Sequence, residues 1–361
     1  MSGDEQFVPR GRGSPIQPPN RFESAHYQRD LEQLESDDEY LEQLADPRTQ
    51  YLSDQSRSII SENDSPDLPF RYSLNPYRGC AHGCAYCYAR PTHEYLGFSA
   101  GLDFETKVLV KHRAAQLFRD WLSRDGWDPE PICFSGVTDC YQPAERRFEL
   151  TRQCLTVAQE AGQPIMIVTK NALVARDVDI LAEMAAHRLV RVAISITSLN
   201  IDLVRTMEPR TSLPAVRLRT IARLRAAEVP TSVLVAPVIP GLTDSEIPAV
   251  LEASAHAGAM SASFTLLRLP LTVQPVFLEW LDRTQPTQRE KVIHRIRATR
   301  DGKLSDSRFG ARMRGSGLFA EQLAATFRLF ARKYGLHQKM PALDVSRFRR
   351  PRPSSGQLRL F

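Results

Sequence analysis

Cys80-Ala81-His82-Gly83-Cys84-Ala85-Tyr86-Cys87-Tyr88 is the stretch from which the rest of the chain can be read. Three cysteines fall within eight residues at the spacing CxxxCxxC. Phe70 to Gly79 ahead of them read as a strand and a turn, and a polar-aromatic stretch runs on to Phe98. Three thiolates packed this closely can hold one face of a metal site or an iron–sulfur cluster. Three protein ligands also leave one position open, as a catalytic centre needs and a structural one avoids. Tyr86 and Tyr88 flank the third cysteine and can cover the site against water. A structural zinc site would need a fourth ligand, which His82 or His93 could offer, but the chain has no second CxxC. A cluster used only for electron transfer or sensing would call for a fourth thiolate, from Cys133, Cys140 or Cys154.

Outward from this stretch, apolar runs alternate with helical patterns. The runs are 131–134, 164–168, 190–196, 231–235 and 262–267, and with the stretch before Cys80 they make six candidate strands. Helical spacing covers about 112–124, 144–161, 172–187, 214–228 and 244–258. Pro143 opens the second of these, and Thr243-Asp244 with Glu246 opens the last. Short buried runs alternating with helices fit a parallel sheet. Six such units make an α/β chain, a partial (β/α)6 barrel of the TIM type, whose reactive groups come from the loops at the C-terminal ends of the strands. That rule selects the cysteine loop, Ser135 to Cys140, Thr169-Lys170-Asn171, Ser195 to Ser198 with Glu208-Pro209-Arg210, and Pro237 to Gly241.

The nonapeptide resembles the CxxxCxφC signature of the radical SAM superfamily, in which φ is aromatic. With Asn75-Pro76-Tyr77-Arg78-Gly79 before it and Tyr88-Ala89 as its end, it is similar to the branch related to spore photoproduct lyase, the "DNA repair photolyase-like" proteins. The resemblance implies the same partial barrel. It also implies that Cys80, Cys84 and Cys87 bind three irons of a [4Fe-4S] cluster. The fourth iron would take the amino and carboxylate groups of S-adenosyl-L-methionine. The implied reaction is reductive cleavage of that cofactor to a 5′-deoxyadenosyl radical, which abstracts hydrogen from a substrate the sequence does not name. Nucleic acid is one candidate, and a low-potential electron donor of the flavodoxin or ferredoxin type is the implied partner. Thr138, Asp139, Lys170, Ser195 and Arg210 are expected to contact the cofactor, with Tyr86 packed beside it. Tyr88 is the candidate hydrogen relay, and Cys140 is the spare thiol expected on the active face. The sequence departs from the lyase at Gly136-Val137, where that enzyme has its active-site cysteine, so the dipyrimidine repair reaction is not carried over. The alternative from another class is a non-catalytic iron–sulfur or zinc protein that binds nucleic acid.

The chain has 361 residues, with 42% hydrophobic and 25% charged, ordinary for a globular protein. It has no apolar run of about 18 residues and so no expected membrane span. The polar start does not read as a secretory signal, and half of the six cysteines lie in one motif, which is not a disulfide framework. A cytoplasmic location is the expectation. Charge is uneven. Residues 1–70 hold six Arg and no Lys against 15 acids, net −9, while residues 281–361 hold 19 Lys and Arg against six acids, net +13. Such a head and tail attract each other or leave the tail for a polyanion. Residues 1–65 read as a disordered acidic extension, 66–268 as the barrel, 269–340 as a basic helical region and 341–361 as a disordered tail. Arg295, Arg297, Arg300, Arg308, Arg312 and Arg314 form a series suited to phosphates.

Overall fold

The computed structural model describes residues 9–23 and 47–353. Ten strands run in order: β1 (Gln50–Ser53), β2 (Ile60–Glu62), β3 (Tyr72–Leu74), β4 (Tyr77–Arg78), β5 (Lys107–Val110), β6 (Ile132–Phe134), β7 (Ile165–Thr169), β8 (Val190–Ser195), β9 (Thr231–Val238) and β10 (Ser261–Leu266). Seven form one sheet in the order β10-β9-β8-β7-β6-β3-β2. From β3 to β10 every pairing is parallel, and β2 lies antiparallel on the outer edge of β3. These six parallel strands are the expected partial barrel. A second sheet, β1-β5-β4, joins residues 50–53 to the turn before the cysteines; no apolar alternation in the sequence had pointed to it.

The strands alternate in burial. Ile165, Ile167, Val190, Val192, Ile194, Val233 and Val235 are buried in the core shared with the outer helices. Met166, Val168, Arg191, Ala193, Ser232 and Leu234 alternate with them and are only partly buried. One face of the sheet is therefore dry, and the other lines a lumen.

The outer layer contains α1 (Ala114–Leu122), α2 (Leu150–Ala161), α3 (Val178–Ala186), α4 (Pro214–Ala226) and α5 (Ile247–His256). Helix α1 buries Ala114, Phe118 and Leu122, one side chain per turn. Phe118 meets Phe134 of β6 edge-on at 6.0 Å, and burying a ring of that size contributes ~1.5–3 kcal/mol. The single helix expected over 144–161 is broken. Glu149 turns left-handed at φ 50°, and the amide of Thr151 donates to the Glu145 carboxylate at 2.9 Å. The expected cap of α5 also differs. The Thr243 hydroxyl accepts from the Ile239 amide at 2.9 Å, and Glu246 reaches back to Ser198 and to the Leu199 amide, both at 2.7 Å.

The C-terminal region is helical, with α6 (Val273–Thr284), α7 (Arg289–Ala298) and α8 (Gly317–Lys333). Pro286 separates α6 from α7, since it can neither donate nor continue α6.

The expected disorder at the ends is corrected wherever residues are described. Residues 9–23 and 47–65 pack on the barrel or pair in its sheets. Residues 1–8 and 24–46, including the acidic stretch 30–44, lie outside the described residues. In the tail, the Arg349 amide donates to the Ala161 carbonyl at 2.8 Å and Arg350 pairs with Asp125 at 3.1 Å. The attraction between head and tail shows one ion pair among the described residues, where Arg312 pairs with Asp67 at 2.6 Å. No helix among the described residues is long and apolar enough to cross a membrane.

Candidate active site at the barrel mouth

The cysteine loop crosses the C-terminal ends of the strands and is anchored through its backbone. The Cys80 amide donates to the Phe104 carbonyl at 2.8 Å and the Ala85 amide to the Met207 carbonyl at 3.0 Å. Gln142 clamps the loop from below: its Oε1 accepts from the Ala81 amide and its Nε2 donates to the Gly79 carbonyl, both at 3.0 Å. Arg90 holds the far side. It donates to the Cys84 carbonyl at 3.0 and 2.9 Å and to the Gly101 carbonyl at 2.8 Å, and pairs with Glu105 at 2.6 Å. Arg90 and Glu105 are both fully buried, so removing either would leave an uncompensated charge.

All three loop cysteines are free. Cys80 and Cys84 are buried and Cys87 is partly so. Burial pushes the three thiols up from their ordinary value. The amides of His82 and Asp139 approach Cys80, and those of Ala89 with the Arg90 guanidinium favour a Cys87 thiolate. Amide donors aimed at sulfur, in a pocket that disfavours free thiolates, suit sulfurs neutralised by bound metal. Among the described residues no three His, Cys, Asp or Glu side chains group as ligands of a single ion. A [4Fe-4S] cluster differs here, because each thiolate meets its own iron. Three free cysteines on one backbone-anchored loop are the donor set such a cluster calls for.

Two carboxylates organise the mouth, Glu208 buried and Asp139 partly so. Glu208 accepts from Arg217, from Tyr86 and from Thr197 at 2.6 Å, and Lys170 lies 3.8 Å away. Burial alone would raise this carboxyl, but Arg217, Lys170, Thr197 and Tyr86 hold it down at about 2. The Lys170 ammonium donates to Ser195 Oγ at 2.6 Å and to the Ala236 carbonyl at 2.8 Å, joining the ends of β7, β8 and β9. Asp139 accepts from Thr169 Oγ1 at 2.8 Å, the Lys170 amide at 2.8 Å and the Tyr141 amide at 2.9 Å. His82 Nδ1 stands 3.5 Å from Asp139 and its Nε2 3.1 Å from Asn171 Nδ2. The buried imidazole thus joins the cysteine loop to the ends of β6 and β7.

The structure brings most of the expected site residues to this mouth. Tyr86, Lys170 and Ser195 belong to the Glu208 network, and Asp139 forms the second one. The Thr138 hydroxyl donates to the Tyr77 carbonyl at 2.8 Å. Arg210 turns away, its Nε donating to the Gly11 carbonyl at 3.0 Å. Tyr88 is 49% exposed, and its hydroxyl donates to the Gly136 carbonyl at 3.0 Å.

Cys140 corrects the expectation of a thiol on the active face. It is wholly buried in the main hydrophobic core, and burial pushes its thiol well up. The cause is the turn after β6, where Ser135 adopts φ 73° and its Oγ accepts from the Cys140 amide at 2.8 Å, carrying that residue inward. Cys133 is buried as well; its neighbours Ile132 and Phe134 fill the dry side of β6, so its own side chain faces the lumen. Cys140→Ala is expected to lower stability by about 1 kcal/mol, measured as a shifted denaturation midpoint, and to leave the iron bound per chain unchanged.

Sequence reading missed Glu208, taken with Pro209 and Arg210 as one more loop, and it missed a strap. Residues 11–20 run across the cysteine loop. The amides of Gly13 and Ser14 each donate to the Glu105 carboxylate at 3.0 Å, and Arg12 donates to the Glu105 carbonyl at 3.1 Å. Further along, Leu102 donates to the Ile16 carbonyl at 3.1 Å and Asn20 to the Glu94 carbonyl at 2.9 Å. A Cβ on Gly13 would lie 1.6 Å from the Gly83 carbonyl oxygen.

Comparison with known proteins agrees with this geometry. The family model described as "Radical SAM superfamily" matches residues 74–253. An uncharacterized protein of Mycobacterium tuberculosis (strain ATCC 25618 / H37Rv) is 42% identical over 221 residues, 61% of this chain and 65% of the relative. The match thus spans just under two thirds of that relative's length. An uncharacterized protein of Methanocaldococcus jannaschii is 27% identical over 176 residues, 49% of this chain and 63% of the relative. Among solved structures, spore photoproduct lyase complexed with dinucleoside spore photoproduct superposes with a TM-score of 0.57 at 17% identity, covering 79% of each chain. A mutant of that lyase with bound AdoMet and the same dinucleoside gives a TM-score of 0.56, covering 79% of this chain and 78% of that one. At this identity the likeness is one of fold.

Proposed function

We propose that this chain, which belongs to the radical SAM superfamily, is an enzyme that cleaves S-adenosyl-L-methionine reductively and abstracts hydrogen from a substrate. The reading is carried by the cysteine loop, with three free cysteines at the superfamily's spacing held over the strand ends. Cys80, Cys84 and Cys87 would hold a [4Fe-4S] cluster and leave one iron open. When bound, the cluster and S-adenosyl-L-methionine supply the electron and the 5′-deoxyadenosyl radical that the reaction needs.

The chain's own residues do the rest. Tyr86, Lys170 and Ser195 stand along the mouth as cofactor contacts, with Lys170 the group suited to a carboxylate. Asp139, Thr138 and Arg210 act as positioning residues, since their side chains are engaged with the strand ends, the Tyr77 carbonyl and the strap. Tyr88 and Cys133 border the space where a substrate would lie. Cys133 is buried there, while Tyr88 stands at the solvent edge of that space, so a bound substrate would have to complete the exclusion of water that a reactive intermediate needs. A low-potential flavodoxin or ferredoxin is the proposed reductant, and a cytoplasmic setting would suit an oxygen-sensitive cluster.

The test is anaerobic. After reconstitution with iron and sulfide and reduction with dithionite, the protein is expected to form 5′-deoxyadenosine from S-adenosyl-L-methionine, measured by mass-resolved chromatography. The triple variant Cys80→Ala, Cys84→Ala, Cys87→Ala is expected to form none. Equal product from both, or none from wild type carrying a reducible cluster, would overturn the reading. The second outcome would favour a binding or sensing role.

A further inference from the structure

Arg268 follows the end of β10, one edge of the parallel sheet, while Tyr88 reaches the loop after β6 near the other edge. The Arg268 guanidinium lies over the Tyr88 ring, 5.9 Å from its centroid, so the pair stands at the mouth on the residue that follows Cys87. Arg268 is half-buried, yet no carboxylate among the described residues pairs with it. Its one hydrogen bond among the described residues is a weak one, Nη1 to the Met313 sulfur at 3.5 Å. The acid that acts on it electrostatically, Asp67, is taken up by Arg312 at 2.6 Å and by the Gly310 amide at 2.7 Å. Burial, with Arg312 nearby, pulls the Arg268 pKa down. A half-buried guanidinium without an anion is a costly arrangement that an anionic ligand would relieve.

The surroundings are fixed in place. Arg300 is buried and donates to the Leu267 carbonyl at 2.7 Å and to the Ala311 carbonyl, stapling the 311–315 segment to the end of β10. Met313 and Arg314 of that segment line a cavity of about 370 Å³ together with Pro66 and Asp67. Arg314 adds a second positive group on an exposed side chain. A guanidinium fork held this way suits a planar or tetrahedral oxyanion.

We propose that Arg268 binds an oxyanion of the substrate, phosphate or carboxylate, at the barrel mouth beside Tyr88. The proposal rests on the reading of this mouth as a radical SAM active site and narrows the substrate to an anionic one. The probes are phenyl phosphate and benzoate, which share an aryl group and differ in the oxyanion, with benzyl alcohol as the neutral control. Each is titrated calorimetrically into the anaerobic holoprotein with S-adenosyl-L-methionine present. At least one anion is expected to bind wild type and to bind Arg268→Gln about tenfold more weakly or worse. Arg308→Gln, whose guanidinium is engaged with Asp301 and Asp306, is expected to bind like wild type. The anion that binds better identifies the oxyanion.

A second measurement needs no variant. Phenylglyoxal labelling of wild type, mapped by mass spectrometry, is expected to lose Arg268 modification, and not Arg308 modification, when the anion is added. Equal affinity in wild type and Arg268→Gln, no anion binding to wild type at millimolar concentration, or unprotected Arg268 would each overturn the proposal. The 5′-deoxyadenosine assay on wild type reports separately on the reading beneath it.

Discussion

Glu208→Gln is expected to cost about 3 kcal/mol of folding stability at neutral pH, measured as a lowered denaturation midpoint. The carboxyl is buried and held at about 2, against an ordinary value of 4.5, and a carboxyl depressed that far contributes about 3 kcal/mol. The same figure lies at the lower end of what breaking a buried ion pair costs, ~3–5 kcal/mol. The loss arises because Arg217, fully buried, would keep its charge and lose its partner.

The dependence on pH has a definite sign. Because the folded value lies below the unfolded one, the stabilisation is complete above pH 4.5 and drains away as pH falls toward 2. The gap in stability between wild type and Glu208→Gln should therefore close on acidification. A gap that stays constant from neutral pH to pH 3 would mean that Glu208 does not act through its charge. Tyr86 and Lys170 share this carboxylate, so the variant should also loosen the mouth.

Gly13→Ala is expected to displace the strap from the cysteine loop. The added methyl carbon would lie 1.6 Å from the Gly83 carbonyl oxygen and 2.8 Å from its carbon. Both atoms are backbone, so no side chain can rotate aside. Gly83 itself sits at φ 69°, a left-handed conformation that cannot easily shift. Overpacking of this kind costs ~1–3 kcal/mol. Here it would also pull the amides of Gly13 and Ser14 from Glu105 and leave the Arg90–Glu105 pair less supported. Iron bound per chain after anaerobic reconstitution should fall clearly below wild type, while far-UV circular dichroism changes little. Unchanged iron content would show that the loop holds its shape without the strap.

The barrel was legible because apolar runs of strand length alternate with helical spacing, and those runs became β6 to β10. The cysteine spacing was legible because thiolates that share a cluster must be close in the chain. The strap was not, since it is held by backbone amides, a glycine contact and the Glu105 carboxylate, none of which leaves an apolar pattern. Its Pro- and Gly-rich composition instead looked like a solvated tail. Glu208 was passed over because its partners, Tyr86, Thr197 and Arg217, lie on separate elements that only the fold assembles. Cys140 was misplaced. The reversal at Ser135 that buries Cys140 has no signal in residue type.

The most direct test of the central claim, that Cys80, Cys84 and Cys87 hold a cluster with one iron open to S-adenosyl-L-methionine, is electron paramagnetic resonance of the dithionite-reduced protein. Spectra would be recorded before and after the cofactor is added. The account predicts the signal of a reduced [4Fe-4S] cluster whose g values shift on addition, as expected when a small ligand binds an open iron. A reduced-cluster signal that is unchanged by saturating cofactor would contradict it.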